Sequence, residues 1–100
     1  MLEESGKRVR VVISGRVQGV WFRGWTVDEA TARSLSGWVR TRRDGTVEAV
    51  FEGAPAAVDA MVEACWTGPP AARVLQVDSF AHEAPVAPGF GSRPTGGGGG

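Results

Sequence analysis

Between Ser14 and Arg23 the chain reads SGRVQGVWFR, with glycines at 15 and 19 and an arginine at 23. That spacing could build a cradle for an anion. Glycine tolerates positive φ and carries no Cβ, so the backbone N–H groups from Gly15 to Val20 can converge on one point. A helix starting near Phe22 would turn its unpaired first-turn N–H groups, and the positive end of its dipole, toward the same point. Arg23 falls in that first turn. Helical Cβ atoms tilt toward the N-terminus, so its guanidinium can reach back and grip two phosphate oxygens. The candidate phosphate-binding set is therefore Gly15, Arg16, Val17, Gln18, Gly19, Val20 and Arg23. It is not a nucleotide P-loop, since Val20-Trp21 stands where lysine and then serine or threonine would follow the second glycine, and it is not a GxGxxG turn. The same residues would also suit a plain strand-to-helix turn whose glycines serve geometry and whose Arg23 is solvated.

A second segment bears on that choice: GWVRTRRDGTVE, from Gly37 to Glu48. Taken together, GRVQGVWFR (Gly15 to Arg23) and this segment resemble the acylphosphatase family, which carries GxVQGVxFR and then GWVxN, a turn and DGxVE. GPPAARV, Gly68 to Val74, is a weaker third likeness, and the resemblance runs from roughly Arg8 to Phe80 with no shift in spacing. It implies a small enzyme that hydrolyses the carboxyl-phosphate bond of acyl phosphates with no metal or other cofactor. The loop and Arg23 would bind phosphate, and the asparagine of the second motif would hold the attacking water.

At the asparagine position this chain has Thr41, which with Arg23 makes up the candidate catalytic pair. Asparagine offers two donors and an acceptor at the end of two rotatable bonds; threonine offers one hydroxyl, closer to the backbone and stiff at χ1. Losing one preorganised transition-state hydrogen bond costs on the order of 10²–10³ in rate, so an impaired hydrolase is expected. The alternative is a phosphate- or sulfate-binding module that keeps the cradle without turnover. Gln18, Thr46 and Arg43 are the other polar groups in the right segments to place a water. Few residues need suffice, because the leaving group is a carboxylate and the transition state is loose and metaphosphate-like; catalysis reduces to holding phosphoryl oxygens and placing one water in line.

The elements that must position these groups can be read from periodicity. Val9, Val11 and Ile13 alternate in a first strand ending at Ser14. Trp21 to Ser34 is a weakly amphipathic helix with Phe22, Thr26 and Ala30 on one face and Arg33 continuing that face, where the family usually has leucine. Gly37 to Thr41 and Thr46 to Glu52 read as two strands joined by a hairpin at Asp44-Gly45. A second helix opens at Ala54-Pro55 and buries Val58, Met61, Val62 and Cys65. Arg73 to His82 is a fourth strand whose broken alternation suggests a bulge or burial on both faces. The order βαββαβ predicts an α+β, ferredoxin-like split βαβ fold: a four-stranded antiparallel sheet, first and third strands central, two helices on one face. The strand order 4-1-3-2 follows from the family resemblance. Phe90 to Arg93 could add a short edge strand, again by resemblance. The domain is expected over residues 8–93, between a flexible start at 1–7 and a glycine-rich tail at 94–100.

With 100 residues, 42% of them hydrophobic, the chain can bury one modest core. Its single cysteine excludes an internal disulfide, as expected of a cytoplasmic protein, and the charged N-terminus lacks the apolar stretch of a signal peptide. No membrane partner is expected. One histidine, His82, and Cys65 give little support for a metal site or a Cys/His pair; His82 is expected to cap the last strand and Cys65 to be a small buried hydrophobe. Formal net charge is zero, which argues against a nucleic-acid partner. The same element order underlies an RNA-recognition fold, but TVEAVFE brings only Phe51 as an aromatic. Arg40, Arg42 and Arg43 either crowd the cradle with Arg16 and Arg23 or decorate a solvated hairpin. Trp38 and Trp66 are expected to close the core, and Trp21, beside the cradle, is the tryptophan placed to touch the acyl part of a substrate. The expected partners are thus a small acyl phosphate, inorganic phosphate or sulfate, bound by a monomer.

Overall fold

The computed structural model of the protein describes residues 6–96. Its elements are β1 (Lys7–Arg16), α1 (Phe22–Ala32), β2 (Ser36–Thr41), β3 (Val47–Gly53), α2 (Pro55–Cys65), β4 (Arg73–Ala81) and β5 (Phe90–Ser92). Alternation in β1 sends Val9, Val11 and Ile13 inward, and the antiparallel register with β3 sets Val11 opposite Ala49 and Ile13 opposite Val47. Phe22, Thr26 and Ala30 of α1 and Val58, Met61 and Cys65 of α2 close the core from the same side. The Thr26 hydroxyl, fully buried there, donates to the Phe22 carbonyl at 2.8 Å and so brings no unsatisfied polar group into the core.

The sheet order is β4-β1-β3-β2-β5. The predicted four-stranded antiparallel sheet is therefore corrected to a five-stranded mixed one. β5 pairs parallel with β2, Gly37 with Phe90, Trp38 with Gly91 and Val39 with Ser92. Without it β2 would be an edge offering a row of free N–H and C=O groups. Three residues suffice because the Phe90 ring stacks on Phe51, with centroids 5.5 Å apart, and the Gly37 amide donates to the Gly89 carbonyl at 3.0 Å.

The broken alternation of the fourth strand is a bulge. Ser14 pairs with Gln76 but Gly15 pairs with Val74, so Leu75 is extruded and β1 runs two residues beyond its predicted end at Ser14, to Arg16. The bulge depends on Gly15. Its φ is +124°, and a Cβ there would lie 2.3 Å from the Arg73 carbonyl oxygen.

Two side chains leave the places predicted for them. Trp38 shares the open face of the sheet with Arg40, opposite Val39, because strand alternation puts it there; it is flanked by the guanidinium groups of Arg93 at 4.5 Å and Arg40 at 5.2 Å, and it does not close the core. Trp66, past the end of α2, is partly exposed and does not close the core either. α1 ends at Ala32 and Arg33 folds back to donate to the Glu29 carbonyl and carboxylate. Arg40 does not line the cavity and joins Arg10 on the carboxylate of Glu48, across the open face. Cys65 is buried as predicted, and burial pushes its thiol up to about 12 against the opposing pull of Arg33. Among the described residues no helix is long and apolar enough to cross a membrane. Residues 1–5 and 97–100, which include most of the predicted flexible ends, lie outside the described residues.

Candidate active site

The loop between β1 and α1 is pinned from below by Val17, whose side chain is almost wholly buried in the core. Burying a valine contributes on the order of 1.5–3 kcal/mol, enough to hold a short loop against the sheet end. From the side it is held by Gln18, whose Nε2 donates to the carbonyls of Arg42 at 2.9 Å and Thr46 at 3.0 Å. The loop is thereby tied to the β2–β3 hairpin. That hairpin is closed by Asp44, which accepts from the Thr46 amide and hydroxyl; these bonds hold its carboxyl below the usual carboxylate range. Gln18 and Thr46, two of the alternative water-placing groups, thus have their side-chain donors engaged within the hairpin. Arg42 lies 3.6 Å from Asp44.

Gly19 has φ +73° in open space, and Trp21 follows with φ 67°. A left-handed tryptophan costs on the order of 1–3 kcal/mol and must be held by its surroundings. What holds it is Gly24, one turn on: a Cβ there would lie 2.0 Å from the indole Nε1, so the ring rests on the bare Cα of the helix. Trp21 remains 64% exposed, its carbonyl accepts from the Trp25 amide at 3.0 Å, and α1 starts at Phe22 without a side-chain cap. The first-turn amides of Phe22, Arg23 and Gly24 have no carbonyl a turn earlier to bond, so they and the dipole face outward at the loop.

These walls enclose a cavity of about 380 Å³ lined by Val17, Gln18, Gly19, Trp21, Phe22, Arg23, Gly24, Thr41 and Ser92. Loop, helix start and strand end meet in it. Of the residues singled out in the sequence, Val17, Gln18, Gly19, Arg23 and Thr41 are brought together there, with Trp21 at the same wall. Gly15, Arg16 and Val20 are not among the lining residues: the first two are paired into the end of β1 against Val74 and Arg73, and Val20 packs on the core. Arg43 does not line the cavity either. Gly24 and Ser92 were not anticipated; Gly24 stood inside a helical pattern, and Ser92 reaches the cavity only because β5 lies parallel beside β2. Thr41 has a neighbour that sequence reading also missed, the Thr95 hydroxyl at 2.6 Å. No three of the His, Cys, Asp and Glu side chains gather into a metal-binding group among the described residues. The arrangement can hold a phosphoryl group between amides and Arg23, with a hydroxyl on the facing wall.

Comparison with known proteins agrees with this architecture. The family model for acylphosphatase matches residues 9–90. An acylphosphatase of Rhodospirillum rubrum is 55% identical over 89 residues, 89% of this chain and 98% of that protein. Among solved structures, an acylphosphatase from Coxiella burnetii superposes with a TM-score of 0.84 at 33% identity, covering 88% of this chain and 93% of that one. The Bacillus subtilis acylphosphatase gives 0.81 at 36% identity, covering 86% and 97%. On these matches, which take in both halves of the cavity, the chain belongs to the acylphosphatase family.

Proposed function

We propose that this acylphosphatase-family hydrolase cleaves the carboxyl-phosphate bond of small acyl phosphates in the cavity between the Val17–Trp21 loop and Thr41. The observation that carries the reading is the convergence of loop, helix start, Arg23 and Thr41 on that one cavity. The loop and first-turn amides and the Arg23 guanidinium take the phosphoryl oxygens, whose negative charge they offset in the loose transition state. A water held at Thr41 attacks phosphorus in line. Its oxygen forms the new P–O bond, the bond to the acyl oxygen breaks with its electron pair, and the carboxylate leaves; the surplus proton goes to the phosphate product. Trp21 forms the side of the cavity toward the acyl group. Thr41 gives this water fewer contacts than asparagine would, which lowers kcat below that of an enzyme with the asparagine. A fold with one buried cysteine fits the reducing cytoplasm.

Thr41 also favours a second reading, an anion-binding module without turnover. Hydrolysis of benzoyl phosphate in ¹⁸O-labelled water, with EDTA present, separates the two. The expected result is protein-dependent turnover with label in phosphate and none in benzoate. Label in benzoate would contradict attack at phosphorus, and phosphate binding without turnover would establish the binding module.

A further inference from the structure

The residue at the water-holding position is not a lone hydroxyl. Thr41 Oγ1 lies 2.6 Å from Thr95 Oγ1, and either can donate to the other. In such a pair one proton bridges the two oxygens; the second O–H and the remaining lone pairs stay free. A donor and an acceptor then stand side by side, the combination an asparagine amide presents and a single threonine cannot fix. The bridging bond also orients the Thr41 hydroxyl, which would otherwise rotate freely.

Thr95 is brought there by the sheet. After β5 the chain keeps to β2: the Arg93 amide donates to the Val39 carbonyl at 2.8 Å and the Gly96 amide to the Thr41 carbonyl at 3.1 Å, on either side of Thr95. The Arg93 guanidinium over Trp38 anchors the near end, and Pro94 restricts φ between the two bonds. The same segment places Ser92 in the wall of the cavity. Thr95 does not itself line the cavity, but the segment after the edge strand, whose composition reads as a tail, reaches Thr41 at the cavity wall.

We propose that Thr95 is a positioning residue of the reaction: paired with Thr41, its hydroxyl completes the group that holds the attacking water, in place of the asparagine this chain lacks. The proposal rests on the hydrolase reading above. It predicts a coupled pair. Thr95→Val, which keeps the shape and removes the hydroxyl, lowers kcat for benzoyl phosphate about tenfold, the worth of one net hydrogen bond, and leaves KM and inhibition by inorganic phosphate unchanged. Thr95→Ser retains the wild-type rate. Thr41→Asn raises kcat, and adding Thr95→Val to it has no further effect, because the amide no longer needs a partner. A Thr95→Val rate within about twofold of wild type would overturn the proposal, as would an equal fall in the Thr41→Asn background, which marks a role in folding alone. If wild type and Thr41→Asn both fail to hydrolyse the substrate, the hydrolase reading falls and the proposal with it; if wild type turns over and Thr95→Val matches it, only the proposal falls.

Discussion

At the scale of single residues, the cavity wall includes one residue in an unfavourable backbone conformation. Trp21 is left-handed at φ 67° and exposed, and its indole is seated on Gly24 at the cavity wall. A folding role would favour burial, and the ring is instead turned to the cavity and to solvent. Trp21→Ala is therefore expected to raise KM for benzoyl phosphate about tenfold while leaving KM for acetyl phosphate and inhibition by inorganic phosphate nearly unchanged, since an aromatic contact contributes on the order of 0.5–1.5 kcal/mol. Equal losses for both substrates would remove the acyl contact. Arg23, Gln18, Gly19 and Thr41 were all visible in the sequence, because motif spacing carries their types. What Gln18 does was not visible. Its amide ties the loop to the hairpin, and nothing local says which carbonyls, those of Arg42 and Thr46, it will meet. Trp38 was misplaced for a similar reason: a GWV start names the residue, but the partner Val50 and the guanidinium groups beside it fix its face.

At the scale of elements, β1 delivers the loop through a bulge, and the two glycines of the motif do different work. Gly15 is packed against β4, with positive φ and a backbone oxygen where a Cβ would go; Gly19 has positive φ in open space. Gly15→Ala should cost roughly 3 kcal/mol or more in urea unfolding, combining left-handed strain with a clash that only backbone movement relieves. Gly19→Ala should cost only the backbone term, on the order of 1–2 kcal/mol. Similar costs for both would show that the bulge yields easily. Element order, the two helix faces and the hairpin at Asp44-Gly45 were legible because each is a local pattern. The extension of β1 to Arg16 was not, since Ser14-Gly15-Arg16 has no apolar alternation and is held in the sheet by β4. The end of α1 was likewise hidden. Arg33 turns back on Glu29, and Ser34 takes a left-handed φ of 59° that no glycine announces.

At the scale of the whole molecule, the site is assembled from both ends of the described chain. The loop after β1, the start of α1 with Arg23, Thr41 at the end of β2, and the segment from Phe90 to Gly96 that covers the edge of β2 all reach the same corner. The fifth strand was expected only through the family resemblance, because three residues with Gly and Pro around them carry no strand signal of their own; its parallel pairing is decided by Phe90 on Phe51 across the fold. Family resemblance supplied the strand order, and physics supplied the element order. This corner, through Arg23, is proposed to hold the phosphoryl group during hydrolysis. The direct measurement is benzoyl phosphate hydrolysis by Arg23→Ala at matched folded fraction, with inorganic phosphate as inhibitor. The expected result is a fall in kcat/KM of at least about 10²-fold and loss of phosphate inhibition, since a charged, preorganised contact to the transition state is gone. Turnover and phosphate inhibition both within about threefold of the unsubstituted protein would contradict it, and would move the chemistry to another part of the molecule.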